Sequence, residues 1–180
     1  RVAVVSRTAY YGAPPAGNYL LDPFYGEADL PSPYDTIWMN AYTIRIANWQ
    51  DDGLALRRVR ETVFVHEQHV PVELEWDGLD MICLHLLAVD SGKNAIGTGR
   101  LLPNGVIGRM AVLREWRGRG VGGALLLRLL EEARKREIQQ VTLNAQQYAS
   151  GFYAKFGFQM AGKEFMDAGI PHIRMSLWLS

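Results

Sequence analysis

From residue 41 onward, apolar and polar side chains fall into short, well-marked periods. The run Tyr42-Thr-Ile-Arg-Ile46 repeats every second residue and predicts a strand. Asp51-Asp52-Gly53 offers a helix N-cap, with Leu54, Leu56, Val59, Val63 and Phe64 as a mostly helical stripe behind it. Residues 66–80 lose the period and read as a polar, acidic connection. Apolar runs at 85–89 and 95–102 flank Asp90-Ser-Gly-Lys93, a hairpin signal. A strand at 105–113 is followed by a glycine-rich corner, 117–123, and then by a helix at 124–135. Leu125, Leu126, Leu129, Leu130 and Ala133 form the apolar face of that helix. A short strand at 141–145, a short helix at 150–156 closed by Gly157, and strands at 158–165 and 172–179 complete the order. The pattern predicts an α/β (α+β) domain over 41–180: a central, largely antiparallel sheet flanked by helices.

The first forty residues differ. They hold five of the eight prolines and five of the eight tyrosines, with no sustained period, and read as an extended, turn-rich N-terminal extension. Its aromatic side chains suit packing on the domain itself or on a neighbouring subunit, as in a homodimer. The 180 residues are 48% hydrophobic and 21% charged, enough to bury one real core. Nineteen basic residues balance nineteen acidic ones, without the basic excess of a nucleic-acid binder. Cys83 is the one cysteine, which excludes an intrachain disulfide or a cysteine-built zinc site. No apolar run nears the roughly 20 residues that cross a bilayer, and Arg1-Val-Ala-Val-Val-Ser-Arg7 lacks the longer apolar stretch of a secretory signal. A reducing, cytoplasmic setting is the expectation.

The corner Arg117-Gly-Arg-Gly-Val-Gly-Gly123 carries the most chemistry. Glycines between a strand and a helix let backbone N–H groups turn toward one point, and the helix N-terminus adds positive dipole there. Arg117 and Arg119 add charges suited to phosphate oxygens. The physical expectation is an anion, a phosphate or pyrophosphate; the alternative is a glycine-rich turn with solvated arginines. No Lys-Ser/Thr follows the glycines, so a nucleotide P-loop fails. Gly118, Gly120 and Gly123 match a dinucleotide fingerprint as a string. However, Arg114–Arg117 separate them from the strand, and the next strand ends in Asn144 and Ala145 without an acid for the ribose.

Read as Arg117, Gly120 and Gly122, the same stretch fits Arg/Gln-x-x-Gly-x-Gly/Ala. With Ile107-Gly-Arg-Met-Ala-Val112 before it and Phe152-Tyr-Ala-Lys-Phe-Gly-Phe158 after it, the chain resembles the GNAT family of acetyl-CoA-dependent N-acetyltransferases over residues 41–180. Val63-Phe-Val-His-Glu-Gln68, His85, Ala145-Gln146 and Gly169-Ile-Pro-His-Ile173 resemble its ElaA-like branch. That branch often has Cys-Pro where this chain has Val70-Pro71, and it does not imply the forty-residue extension. The resemblance implies that acetyl-CoA is the acyl donor, with its pyrophosphate on the amides of Arg117, Gly118, Arg119, Gly120, Val121, Gly122 and Gly123. It implies a pantetheine arm beside Met110, Ala111 and Val112, a backbone amide of that strand polarising the thioester, and Asn144 touching the arm. No metal is implied.

Acetyl transfer to an amine needs a proton for the departing thiolate and a base for the amine. Tyr153 lies where the family's general-acid tyrosine lies; a phenol titrating near about 10 can protonate a thiolate at neutral pH. Core packing is its other reading. Glu67, Glu73, Glu75, Asp77 and Asp80 form either a negative mouth for a cationic amine or a solvated acidic loop. The resemblance favours Glu67 and Gln68 near the acceptor, with Glu75 and Asp77 as outer partners. His172 is a candidate base or acceptor ligand, or a structural histidine. His66-Glu-Gln-His69 is one residue too short for a paired metal site on a helix face. No Gly-x-Ser-x-Gly elbow exists, Cys83 sits in an apolar, inert setting, and Arg57, Arg58 and Arg60 read as a solvated face. The leading expectation is transfer from acetyl-CoA to a small-molecule amine by direct attack. A non-catalytic acyl-CoA sensor and an NAD(P)-dependent oxidoreductase are the alternatives.

Overall fold

The computed structural model describes residues 41–179; the N-terminal extension, with the expectations placed on it, and Ser180 lie outside. β1 (Tyr42–Ala47), β2 (Leu84–Asp90), β3 (Ala95–Leu101) and β4 (Ile107–Val112) form one antiparallel sheet in that order. β5 (Gln140–Gln146), β6 (Gln159–Asp167) and β7 (Ile170–Trp178) form a second, with β7 in the middle. The expected antiparallel α/β character is present, but in two sheets. They meet at a seam where Val106 and Thr142 bridge in parallel and the Thr142 N–H donates to the Gly105 carbonyl at 3.0 Å. Beyond that seam β4 and β5 share no ladder among the described residues, and a cleft opens between them.

Helix α1 (Trp49–Arg60) starts earlier than the acidic pair suggests. Asn48 caps it, its side chain accepting from the Gln50 N–H at 2.8 Å, while Asp51 and Asp52 occupy the first turn, where the helix dipole favours acids. The helix then widens into a π-helical turn, Glu61–Glu67. Leu56 and Val59 are buried against Ala47, Leu87 and Ala111, whereas Leu54 of the predicted stripe is exposed. On the opposite sheet face lies α3 (Val121–Lys135), with all five predicted apolar residues buried. It packs closely because β3 presents no side chains at Gly97 and Gly99. A Cβ at Gly99 would stand 2.9 Å from both Leu129 and Met110. Leu86, Ile96, Leu125, Leu129, Val141, Leu143 and Met175 share one core, so α3 holds both sheets.

The acidic 66–80 segment is neither an open mouth nor a solvated loop. It contains a short helix, α2 (Val72–Glu75), and a 3₁₀ turn at Asp80–Ile82. Arg60, read from sequence as solvated, is buried and donates to Glu75 at 2.5 Å and Asp80 at 2.7 Å. Arg57 and Arg58 stay exposed. Arg100 of β3 donates to Asp77 at 2.5 Å and Asp80 at 2.8 Å, leaving its buried Nε without a partner among the described residues. Charges are buried here because they are paired. β4 also carries a bulge opposite Gly99 that sets Arg109 at φ 51°, a left-handed turn costing a non-glycine residue about 1–2 kcal/mol. No helix among the described residues is long and apolar enough to cross a membrane.

Candidate active site

The glycine corner has the backbone the sequence demands. Gly118 and Gly120 take φ of 74° and 79°, and Gly120 caps α3 with no side-chain acceptor over the first turn. The Ala124 N–H is the first to close a helical bond, onto the Gly120 carbonyl, so the preceding amides at the helix start have no acceptor within the helix. Gly118 has open space where a side chain would stand, while Gly122 and Gly123 have Phe152 and Phe156 of the α4 region (Ser150–Ala154) against them. Val121 offers only its backbone, its side chain lying in the core. Arg119 lies over the Trp116 ring at 5.0 Å. The Arg117 guanidinium forms a forked pair with the Glu67 carboxylate, at 2.6 and 2.7 Å, while Nε donates to the Val112 carbonyl at 2.9 Å.

Along β4 the register sorts the expected edge residues. The Leu113 N–H donates to the Ile96 carbonyl on β3, and Ala111 stands opposite Thr98 in the same alternation. Leu113 and Ala111 therefore face β3, and Met110 and Val112 turn their amides the other way, toward β5. Ala111 is also buried beneath Val59 and Val63.

Tyr153 sits on α4, half-buried, with edge contacts to Phe152 and Phe158. Burial raises the pKa of its phenol, and its hydroxyl makes no hydrogen bond among the described residues. Asn144 is exposed on β5. Gln68 accepts from Gln146 at 2.9 Å, and the Tyr148 hydroxyl donates to Gln146 in turn. His172 pairs with Gln146 across β5 and β7, on one face, and stacks on Phe165. Its Nδ1 lies 2.8 Å from the Ile170 carbonyl, which can only accept, so Nδ1 carries a proton, and in the neutral ring the lone pair is on Nε2. The Arg117 hydrogen bonds hold the Glu67 carboxyl below the usual carboxylate range. Glu75 is set apart from these groups: it is buried, held by Arg60 and Arg109. His66 and His69 are exposed, and no cluster of three metal-ligating side chains exists among the described residues.

Residues 50–179 match the acetyltransferase (GNAT) domain family. This chain belongs to the GNAT family. As a GNAT acyltransferase it is 41% identical over 121 residues to the uncharacterized N-acetyltransferase YjcF of Bacillus subtilis, covering 65% of this chain and 86% of YjcF. An acyl-CoA N-acyltransferase from Pseudomonas aeruginosa superposes with a TM-score of 0.69 at 32% identity, over 76% of this chain and 99% of the other. Escherichia coli ElaA gives 0.68 at 28% identity, over 75% and 98%. The nicotinamide alternative falls here, because the glycine string that suggested it opens α3 of a GNAT domain. The corner amides, the unpaired side of β4 and the open space at Gly118 together fit an acyl-CoA. The sequence does not single out three residues whose side chains the structure ties into this region: Gln147, which donates to Glu164 at 2.5 Å, Tyr148, which donates to Gln146, and Arg109, which donates to the Glu75 carbonyl. Arg109 had a signal, a charge inside an apolar strand pattern; the other two had none.

Proposed function

We propose that this acyltransferase moves an acetyl group from acetyl-CoA to the amine of a small, cytoplasmic acceptor by direct attack, without a covalent enzyme intermediate. The observation that carries the reading is the cleft itself: among the described residues, β4 has no strand partner on one side, a glycine corner stands at its end and the Tyr153 phenol has no hydrogen bond. Bound acetyl-CoA supplies an activated acyl carbonyl and a thiolate leaving group. The Gly118–Gly123 amides hold the pyrophosphate, with Arg117 acting through its backbone while its side chain braces Glu67. Met110 and Val112 pair with the pantetheine arm, Asn144 touches it from β5, and the Met110 N–H offsets charge developing on the acyl oxygen. As the new C–N bond forms and the C–S bond breaks, Tyr153 gives its proton to sulfur; its raised pKa keeps it protonated until then.

For the amine proton, His172 Nε2 is the better acceptor. Glu67 has both oxygens on Arg117 and a lowered pKa, which makes it a weak base. Gln68 and Gln146 form the neutral polar wall on the acceptor side. Because Glu67, Glu75, Asp77 and Asp80 are all paired with arginines, acceptor selection rests on hydrogen bonding more than on a negative field. Calorimetric titration with acetyl-CoA, followed by thiol detection over an amine panel, tests the reading. Binding with thiol release supports it. Binding without release for any amine favours a sensor, and no binding removes the reading. Tyr153→Phe should bind acetyl-CoA as the wild type does and lose about 10²–10⁴-fold in turnover; unchanged turnover takes the role from Tyr153.

A further inference from the structure

Arg109 occupies the point on β4 where the backbone turns left-handed. A glycine would adopt that turn without strain, so the arginine side chain has to offset what its backbone loses. Its guanidinium grips the 74–77 segment along its whole edge. Nε lies 3.0 Å from the Glu75 carboxylate and donates to the Glu75 carbonyl at 3.3 Å. Nη2 donates to the carbonyls of Leu74 and Glu75 at 3.3 and 3.0 Å and to the Asp77 carboxylate at 3.2 Å. That segment is anchored in turn, Glu75 to Arg60 of α1 and Asp77 to Arg100 of β3.

The turn has a direct effect on its neighbour. Thr98 Oγ1 donates to the Arg109 carbonyl at 2.9 Å, on the β3 side. The Met110 N–H belongs to the same planar peptide and so points away, toward β5. We propose that Arg109 is a positioning residue for acyl transfer, its grip on Glu75 and Asp77 holding β4 in the turn that aims the Met110 N–H at the acyl oxygen. This rests on the acetyl-CoA reading of the cleft and adds a residue that touches neither substrate.

The test is infrared difference spectroscopy of acetyl-CoA isotopically labelled at its carbonyl, bound to wild type, Arg109→Gly and Arg109→Lys. Glycine tolerates the turn but cannot hold it; lysine keeps the charge but lacks the fork. In wild type the bound carbonyl band moves to lower frequency than in water. Arg109→Gly should bind acetyl-CoA with near-native affinity yet lose most of that displacement, with Arg109→Lys between the two. Thiol release with an amine the wild type accepts should fall about 10²-fold in Arg109→Gly, as when one oxyanion donor is lost. A band and rate unchanged in the glycine variant overturn the role of Arg109 alone. If Arg109→Gly does not fold, a band in Arg109→Lys displaced as far as that of the wild type overturns it equally. Failure of the wild type to bind acetyl-CoA takes down the cofactor reading and this proposal together.

Discussion

Asp80 accepts from two arginines on different elements, Arg60 of α1 and Arg100 of β3, while almost fully enclosed. Burial pushes its pKa up, but the hydrogen bonds and charges of the two guanidiniums outweigh that and leave it below the ordinary value. Asp77 shifts the same way, under Arg100 and Arg109. A carboxylate with a depressed folded pKa contributes stability that is present above its unfolded value, about 4, and is lost as pH falls through the folded one. Glu75 works in the opposite sense: burial raises it against the pull of Arg109 and Arg60. Asp80→Asn should therefore cost about 3–5 kcal/mol in urea unfolding at neutral pH, since two buried guanidiniums lose their shared anion. Its stability should also fall less steeply than that of the wild type between about pH 4 and lower values. Equal acid limbs would show that Asp80 is not the titrating group. Sequence could not show this arrangement: the acids of 66–80 meet arginines fifteen to fifty positions away, and composition carries no such pairing. Arg100, set in an otherwise apolar strand, was the visible trace.

At the scale of elements, Gly105 determines how the two sheets join. Its φ is 84°, its carbonyl takes the Thr142 N–H, and a Cβ there would lie 2.5 Å from the Gln140 carbonyl. The collision is with backbone, which has no rotamer to yield. Gly105→Ala should destabilise the fold by about 1–3 kcal/mol, plus strain from the left-handed turn, measured as a lower urea midpoint; an unchanged midpoint would mean the seam bears no load. Most elements were legible because they carry their own period and punctuation. The hairpin β2–β3 follows Asp90-Ser-Gly-Lys93, and α3 follows its leucines and glycines. The start of α1 was misplaced because Asn48 and Asp51 are both good cap residues, and only packing of Trp49 near His85 shows which is used. The π-helical turn after Arg60 leaves no mark in an apolar pattern that continues through Val63.

Across the molecule, α3 and one core bind two sheets whose backbones, among the described residues, bridge at one seam. The alternation of element types announced an antiparallel α/β domain, but it could not show that the sheet divides between β4 and β5, since that depends on where hydrogen bonds are withheld. The corner glycines, Met110, Val112 and Tyr153 gather at this divide from sequence positions the motif marks. Glu75 went elsewhere because its charge found closer partners. The one-sided pairing of β4 also implies a signature in time. In heavy water, the amides of Ala111 and Leu113, bonded to β3, should keep their hydrogens until the domain opens broadly. Those of Met110 and Val112 should exchange rapidly, giving a slow–fast beat along a single strand. Acetyl-CoA should silence that beat by slowing only the fast pair, so isotope uptake at these two amides reports occupancy of the cleft even before any acceptor is known.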